Sequence, residues 1–149
     1  MYVDPRGPRF GAWLTSAVLV AVLVSGSGWL LLAQAAVFAV GTFGGLRHHP
    51  YGLLFRVLVR PRLGPPGELE AEAPPRFAQA VGLAFALLGA VGYLAGPAVL
   101  GIVATAAALA AAFLNAAFGI CLGCELYLLF RRSTVRYVPV PSPTEGATA

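Results

Sequence analysis

The residues best suited to chemistry in this 149-residue chain are its two cysteines, Cys121 and Cys124. They are separated by Leu122 and Gly123, and this C-x-x-C spacing places both sulfurs on one face of a helix. The spacing is typical of a dithiol–disulfide redox pair, and it also supplies half of a thiolate metal site. We therefore take Cys121 and Cys124 as a candidate redox pair. The alternative is that two small side chains simply pack within a helix.

Two polar residues near the pair are supporting site candidates. Glu125 follows the second cysteine and could act as a base for a thiol or as a metal ligand. However, a nearby carboxylate disfavours a thiolate, and so does the C-terminal end of a helix, where we expect the pair to lie. Asn115 lies in the preceding apolar segment, where it could bond a neighbouring helix or line a polar pocket. Gln34 is its best candidate partner.

A metal site is a weaker interpretation of the same cysteines. A structural zinc site takes four ligands, and one C-x-x-C supplies two of them. His48 and His49 are the only histidines in the chain, so the alternative ligand set is Cys121, Cys124, His48 and His49. The histidines are otherwise a polar pair at the end of an apolar segment. We expect no bound metal, and the sequence requires no cofactor.

The composition indicates that these residues belong to a membrane protein. Hydrophobic residues make up 58% of the chain, charged residues only 11%, and the mean hydropathy is +0.80. Soluble domains carry about 25% charged residues, so this chain has too little polar surface to cover itself in water. Its basic residues do not form a stripe with interleaved aromatics, which argues against nucleic acid as a partner.

The apolar pattern predicts an all-α membrane protein with four transmembrane helices. They are arranged as two helical hairpins, because short uncharged turns at 25–28 and 95–97 separate neighbouring segments. An amphipathic helix at about 51–63, between the hairpins, is expected to lie in the membrane interface. The predicted spans are 10–24, 29–46, 77–95 and 97–118, the last continuing to about 130. Residues 1–136 form one membrane domain, and 137–149 a disordered cytoplasmic tail.

The arginines predict the orientation of these helices. They lie before the first segment, in the central loop and after the last segment, whereas both short turns are uncharged. By the positive-inside rule, both termini and the central loop are cytoplasmic. The chain is then a multi-pass protein of the bacterial inner membrane. The C-x-x-C pair lies at the cytoplasmic face, where reducing conditions favour the dithiol.

The two halves of the chain resemble each other. Pro8-Arg9-Phe10 recurs as Pro75-Arg76-Phe77, and Leu53-Leu54-Phe55-Arg56 recurs as Leu128-Leu129-Phe130-Arg131. Two helices per half imply a parallel internal repeat about an axis along the membrane normal. In this alignment His48 and His49 fall opposite Gly123 and Cys124.

The stretch from Phe113 to Tyr127 contains the run F-G-x-C-x-G-C-E, which resembles the signature of the domain-of-unknown-function 4395 family of small bacterial integral membrane proteins. Val3-Asp4-Pro5-Arg6 and Pro50-Tyr51-Gly52 fit the same resemblance, which extends from about Val3 to Arg132. The resemblance implies Asn115, Cys121, Cys124 and Glu125 as site residues. It also implies a cytoplasmic thioredoxin-like or rhodanese-type partner, and it does not include the two histidines.

We expect thiol–disulfide redox chemistry or sulfur handling by the cytoplasmic-face pair. The alternatives are a small transporter, or a transporter accessory subunit, for a thiol or sulfur compound, and a structural or metal-binding membrane subunit. Transport requires a polar path through the bundle, and the segments offer little beyond Asn115, Gln34 and a few threonines. The lipid bilayer is the expected environment. The sequence leaves open whether the chain is an enzyme, what its substrate is and whether it oligomerises.

Overall fold

The computed structural model describes residues 2–67 and 69–132, and the predicted disordered tail, 137–149, lies outside the described residues. The described chain is almost entirely helical. A two-residue strand pair, β1 (Tyr2–Val3) with β2 (Glu70–Ala71), is antiparallel. The helices are α1 (Arg6–Ser25), α2 (Gly28–Ala39), α3 (Pro50–Leu54), α4 (Arg60–Leu63), α5 (Ala73–Leu94), α6 (Ala98–Phe118) and α7 (Leu122–Arg132), with π-helical turns at Val40–Gly44 and Phe55–Val59.

A tight turn joins α1 to α2 at the position that the sequence predicts. Gly26 ends α1 in the left-handed region, with φ 64°, which a glycine adopts without steric cost. Ser27 then caps α2, its hydroxyl oxygen accepting the Leu30 N–H at 3.2 Å. The chain therefore reverses direction within residues 25–28.

Three helices are long and apolar enough to cross a bilayer, and a fourth apolar helix is shorter. Arg6–Ser25, Ala73–Leu94 and Ala98–Phe118 have mean hydropathies of 1.5, 1.8 and 2.0. The predicted second span corresponds to Gly28–Gly44, where α2 continues into a π-helical turn. At about 1.5 Å per residue this helix is about 25 Å long, a few ångströms less than the hydrocarbon core of a bilayer.

The four long helices pack as a bundle in which α6 contacts α1, α5 contacts α6, and α2 contacts α5. Leu19, Val22, Leu31 and Phe38 lie in its core with small alanines from α5 and α6. Glycines let α5 and α6 approach closely, because a Cβ at Gly92 would collide with the backbone of Gly101. The outer faces remain apolar, with exposed side chains that include Phe85, Leu88, Val91, Val99, Ile102 and Val103. A surface of this kind suits lipid.

The two uncharged turns lie at the same end of the bundle. A Cβ added to Gly28, after the first turn, would meet the side chains of Tyr93 and Leu94, just before the second. The opposite end carries the arginine-bearing segments, where Arg6 donates to the carbonyl oxygens of Leu63 and Gly64. The fold thus separates an uncharged end from a charged one.

The structure divides the predicted fourth segment into two helices. We expected one helix from 97 to about 130, but α6 ends at Phe118 because Gly119 adopts φ 72°. The Gly119 N–H bonds the Asn115 carbonyl at 3.0 Å, and the Ile120 N–H bonds the Leu114 carbonyl at 3.3 Å. This capping pattern ends helices at a left-handed glycine. The apolar pattern runs unbroken through the glycine, so hydropathy alone could not locate the break.

The segment predicted as an interfacial helix, 51–63, is helical from Pro50 to Leu63 through α3, a π-helical turn and α4. Pro50 occupies the first turn of α3, where the missing N–H is not needed. Phe55 is buried against Gly7 of α1, whereas Leu54, Val57 and Leu58 are exposed. The segment therefore lies across the charged end of the bundle, with both apolar side chains and the arginines Arg56, Arg60 and Arg62 exposed.

Candidate functional site at the start of α7

The helix break places the cysteine pair at the beginning of α7. Cys121 immediately precedes the helix, and its carbonyl oxygen accepts the Glu125 N–H at 2.9 Å, the first bond of the helix. The Cys124 N–H donates to the Cys121 sulfur at 3.3 Å. Cys121 therefore occupies the N-cap position, with its sulfur in the place where a serine or aspartate oxygen is usually found.

Cys121 and Cys124 are joined in a disulfide, and their Cα atoms are 5.1 Å apart. Both residues are half-buried. The structure thus holds the oxidised form, whereas we expected the dithiol as the resting form in a reducing compartment. That the dithiol is the resting form in the cytoplasm stays a prediction. The fold accommodates the disulfide, which is the form that a redox cycle would require.

The position of the pair reverses the expected effect of the helix dipole. On one long helix the cysteines would lie near a C-terminus, where carbonyl groups disfavour a thiolate. At the start of α7 they lie beside free N–H groups, which stabilise negative charge. The Arg9 guanidinium lies within 4 Å of the Cβ position of Gly119, two residues before Cys121 in the chain. Sequence reasoning did not place Arg9 at this helix break, because the two residues are distant along the chain.

Glycine-mediated packing fixes α7 against the body of the bundle. A Cβ added to Gly123 would lie 2.6 Å from the Cα of Ala78, so α7 touches the backbone of α5 there. Four residues later, the Tyr127 ring lies 5.8 Å from the ring of Phe77. Glu125 is exposed in the first turn of α7. At this position the helix dipole stabilises the carboxylate, although the carboxylate competes with a thiolate for the same N–H groups.

Asn115 and Gln34 do not form the predicted pair. Asn115 is half-buried, and its backbone carbonyl helps to cap α6. Gln34 is only 1% exposed, and it bonds the hydroxyl groups of two other residues. The Tyr51 hydroxyl donates to Gln34 Oε1 at 2.7 Å, and Gln34 Nε2 donates to Thr15 Oγ1 at 3.5 Å. Gln34 thus links α1, α2 and α3 rather than reaching α6.

The structure separates the residues of the alternative metal site. Among residues 2–67 and 69–132, no three His, Cys, Asp or Glu side chains lie close enough together to hold a metal ion. His48 is exposed, with Nδ1 placed 2.7 Å from the Gly44 carbonyl oxygen. His49 is buried instead beside Gly41, Tyr51 and Gln79. The two histidines therefore have different environments.

A second polar region surrounds His49, and sequence reasoning did not identify it. Burial lowers the pKa of His49, and the neighbouring Gln79 carboxamide opposes this only in part. Both residues line a pocket of about 510 Å³ between the start of α1, the loop after α2 and the α3–α4 segment. Gln79 could have been noticed as a polar residue in an apolar segment. Its proximity to His49 depends on the packing of α2 against α5.

A family model described as Domain of unknown function (DUF4395) matches residues 3–132, which include both the cysteine pair and the pocket. No curated protein and no solved structure matches the chain.

Proposed function

The chain belongs to the DUF4395 family, and we propose that it is a membrane-embedded thiol–disulfide exchange protein whose reacting groups are Cys121 and Cys124. The observation that carries the proposal is the N-cap position of Cys121, whose sulfur accepts the Cys124 N–H at 3.3 Å. A sulfur in this position is stabilised as a thiolate, and the thiolate is the attacking species in exchange.

We assign different roles to the two cysteines. In the reduced protein, the Cys121 thiolate attacks a substrate disulfide, forming a mixed disulfide and releasing one substrate thiolate. Cys124 then loses its proton and attacks the Cys121 sulfur, which releases the second substrate thiol and forms the Cys121–Cys124 disulfide. The substrate disulfide gains two electrons and the cysteine pair loses two. A dithiol protein of the thioredoxin-like class restores the reduced pair by the reverse exchange.

The proposed setting is the bacterial inner membrane, crossed four times, with both termini in the cytoplasm. The two uncharged turns share one end of the bundle, and the arginine-bearing segments share the other, as the positive-inside rule requires for four spans. Gly28–Gly44, the second span along the chain, is shorter than the other three, and local thinning of the bilayer accommodates it. The α3–α4 segment then lies in the cytoplasmic interface.

Redox chemistry at one face fits the interior of the bundle better than transport through it. Ser16 and Thr105 are buried, but their hydroxyl groups bond the carbonyl oxygens of Ala12 and Gly101 in their own helices. Among the described residues, the bond between Gln34 and Thr15 is the buried side-chain hydrogen bond that joins two of the long helices. A solute path would need a longer series of polar groups.

The proposal is tested by trapping the mixed disulfide on single-cysteine variants. The purified, reduced full chain in detergent is incubated with glutathione disulfide, and the adduct is followed by intact-mass spectrometry. In the Cys124→Ser variant Cys121 cannot be resolved, so the glutathione adduct accumulates. In the Cys121→Ser variant Cys124 lacks the N-cap position, so we expect its adduct to form about 2- to 30-fold more slowly, the range set by about 0.5–2 kcal/mol of helix-terminus stabilisation.

The wild-type chain should instead form its internal disulfide and release both glutathione thiols. A double variant, Cys121→Ser with Cys124→Ser, controls for adducts elsewhere. Equal adduct rates in the two single variants, or no internal disulfide in the wild-type chain, would contradict the assigned roles.

A further inference from the structure

The pocket around His49 is lined by neither Cys121 nor Cys124. Its walls come from the start of α1, the loop that follows α2, and the α3–α4 segment. At about 510 Å³ it falls within the range of small-molecule sites. Gly7, Gly11 and Gly52 form part of its wall, so the backbone is accessible there. The function proposed for Cys121 and Cys124 makes no use of this pocket.

The charged lining of the pocket is mainly cationic. Arg47, Arg56 and Arg60 line it, and Asp4 is the acidic residue among the lining side chains. Asp4 already has a cationic partner, because its Oδ2 lies 3.0 Å from an Arg6 guanidinium nitrogen. The three lining arginines therefore give the pocket an excess of positive charge. Guanidinium groups in this arrangement favour phosphate and carboxylate ligands.

The inner part of the pocket contains two buried polar atoms without hydrogen-bond partners, His49 Nε2 and Gln79 Oε1. His49 is only 5% exposed, and both residues line the cavity. Buried polar atoms nearly always have a partner, so a missing one calls for an explanation. The two residues are neighbours, but His49 Nε2 and Gln79 Oε1 do not meet in hydrogen-bond geometry. A ligand hydroxyl between them would donate to Gln79 Oε1 and accept from the His49 N–H.

We propose that this pocket binds a phosphate-bearing ligand that also carries a hydroxyl group, its phosphate held by the arginines at the rim and its hydroxyl directed to His49 and Gln79. Hydrogen phosphate has this chemistry in its smallest form. The phosphoglycerol headgroup of an anionic lipid has it in a larger form that fills more of the cavity. The exposed side chains of Val57 and Leu58 on the α3–α4 segment would contact the acyl chains of such a lipid beside the pocket.

The test uses Arg60→Gln with Arg62→Gln as its matched control. Both arginines are exposed residues of α4, but Arg60 lines the pocket and Arg62 does not. The purified full chain in a neutral detergent is titrated by calorimetry with inorganic phosphate, with dioctanoyl phosphatidylglycerol, and with dioctanoyl phosphatidylcholine as the uncharged-lipid control. For whichever anionic probe binds, we expect Arg60→Gln to weaken binding about tenfold, because it removes about one charge-assisted hydrogen bond. Arg62→Gln should leave the binding unchanged.

A second variant, Gln79→Leu, tests the inner part of the pocket and should weaken binding as well, because it removes the acceptor for the ligand hydroxyl. If phosphatidylglycerol binds and inorganic phosphate does not, the ligand is a lipid headgroup. If inorganic phosphate binds, the ligand has a soluble source. Equal weakening in Arg60→Gln and Arg62→Gln would show only general surface attraction and would overturn the proposal. Absence of binding by both anionic probes would overturn it too.

Discussion

At the scale of single residues, the position of Cys121 relative to a helix end determines what its sulfur can do. The same residue type within a longer helix would face backbone carbonyl groups, which oppose a thiolate. At the N-cap of α7 it faces N–H groups, one of which already donates to it. The break in the helix at Gly119 thus changes the chemistry expected of the Cys121 thiol, although the residue itself is the same.

His49 provides a residue-scale prediction about pH. Its pKa in the folded chain is lowered from the ordinary 6.5 because the ring is buried. The unfolded chain therefore binds a proton below about pH 6.5 that the folded chain does not, and the free energy of unfolding falls as the pH falls. The slope approaches 1.4 kcal/mol per pH unit until the pH reaches the lowered pKa. Above about pH 7.5 this contribution is constant.

The measurement is the thermal midpoint in detergent between pH 7.5 and 5, followed by the fluorescence of Trp13 and Trp29. His49→Gln should flatten the pH dependence, while His48→Gln should leave it intact, because His48 is exposed. If His48→Gln flattened the pH dependence and His49→Gln did not, the prediction that His49 causes this dependence would be wrong.

The sequence identified the cysteines as candidate site residues but not the polar contacts elsewhere in the bundle. Cys121 and Cys124 could be recognised from their type and spacing, since these are local properties. The partners of Gln34 and His49 depend on which helices are neighbours, and the packing of α2 against α5 is not encoded in local periodicity. Residues distant in the chain, such as Arg9 beside Gly119, escaped notice for the same reason.

At the scale of elements, each half of the chain follows the same order. A pair of long helices is followed by a glycine with positive φ, Gly45 at 79° and Gly119 at 72°, and then by a further helix, α3 or α7. This order supports the proposed internal repeat beyond the short sequence matches. His49 precedes α3 as Cys121 precedes α7, whereas the sequence alignment places His49 opposite Cys124, so the two halves share the order of their elements but not the register of these two residues.

The break at Gly119 gives an element-scale prediction. Replacing Gly119 by alanine adds no steric clash, because the nearest atoms lie 3.7 Å from the added Cβ, but it opposes the φ of 72°. The left-handed conformation costs a residue with a Cβ about 1–2 kcal/mol. We therefore expect Gly119→Ala to lower stability by this amount. It should also slow alkylation of Cys121, since a helix that continues through residue 119 removes its N-cap position.

Gly67→Ala is the matched control. Gly67 has open space around its Cβ position and does not have a positive φ. Unfolding by sodium dodecyl sulfate and the iodoacetamide rate measure the two effects. Should Gly119→Ala match Gly67→Ala in both, the left-handed cap would not be what positions the cysteine.

At the scale of the whole molecule, the distribution of charge is as informative as the packing. Helix length alone identifies three candidate spans, because Gly28–Gly44 is short. An odd number of spans would place the two termini on opposite sides of the membrane. The packing of Gly28 against Tyr93 and Leu94 brings both uncharged turns to one end, which agrees with the four spans that we propose and with the positive-inside rule.

The number of spans is therefore testable through the accessibility of single thiols. A membrane-impermeant maleimide added to intact bacteria expressing the reduced chain should leave Cys121 and Cys124 unlabelled, and in inverted vesicles it should label both. For comparison, Ser25→Cys in a background lacking both native cysteines places an exposed thiol in the first turn. That thiol should show the opposite pattern, because four spans put the turn outside and α7 inside. With three spans, in which Gly28–Gly44 does not cross, Cys121 would be labelled from outside together with residue 25.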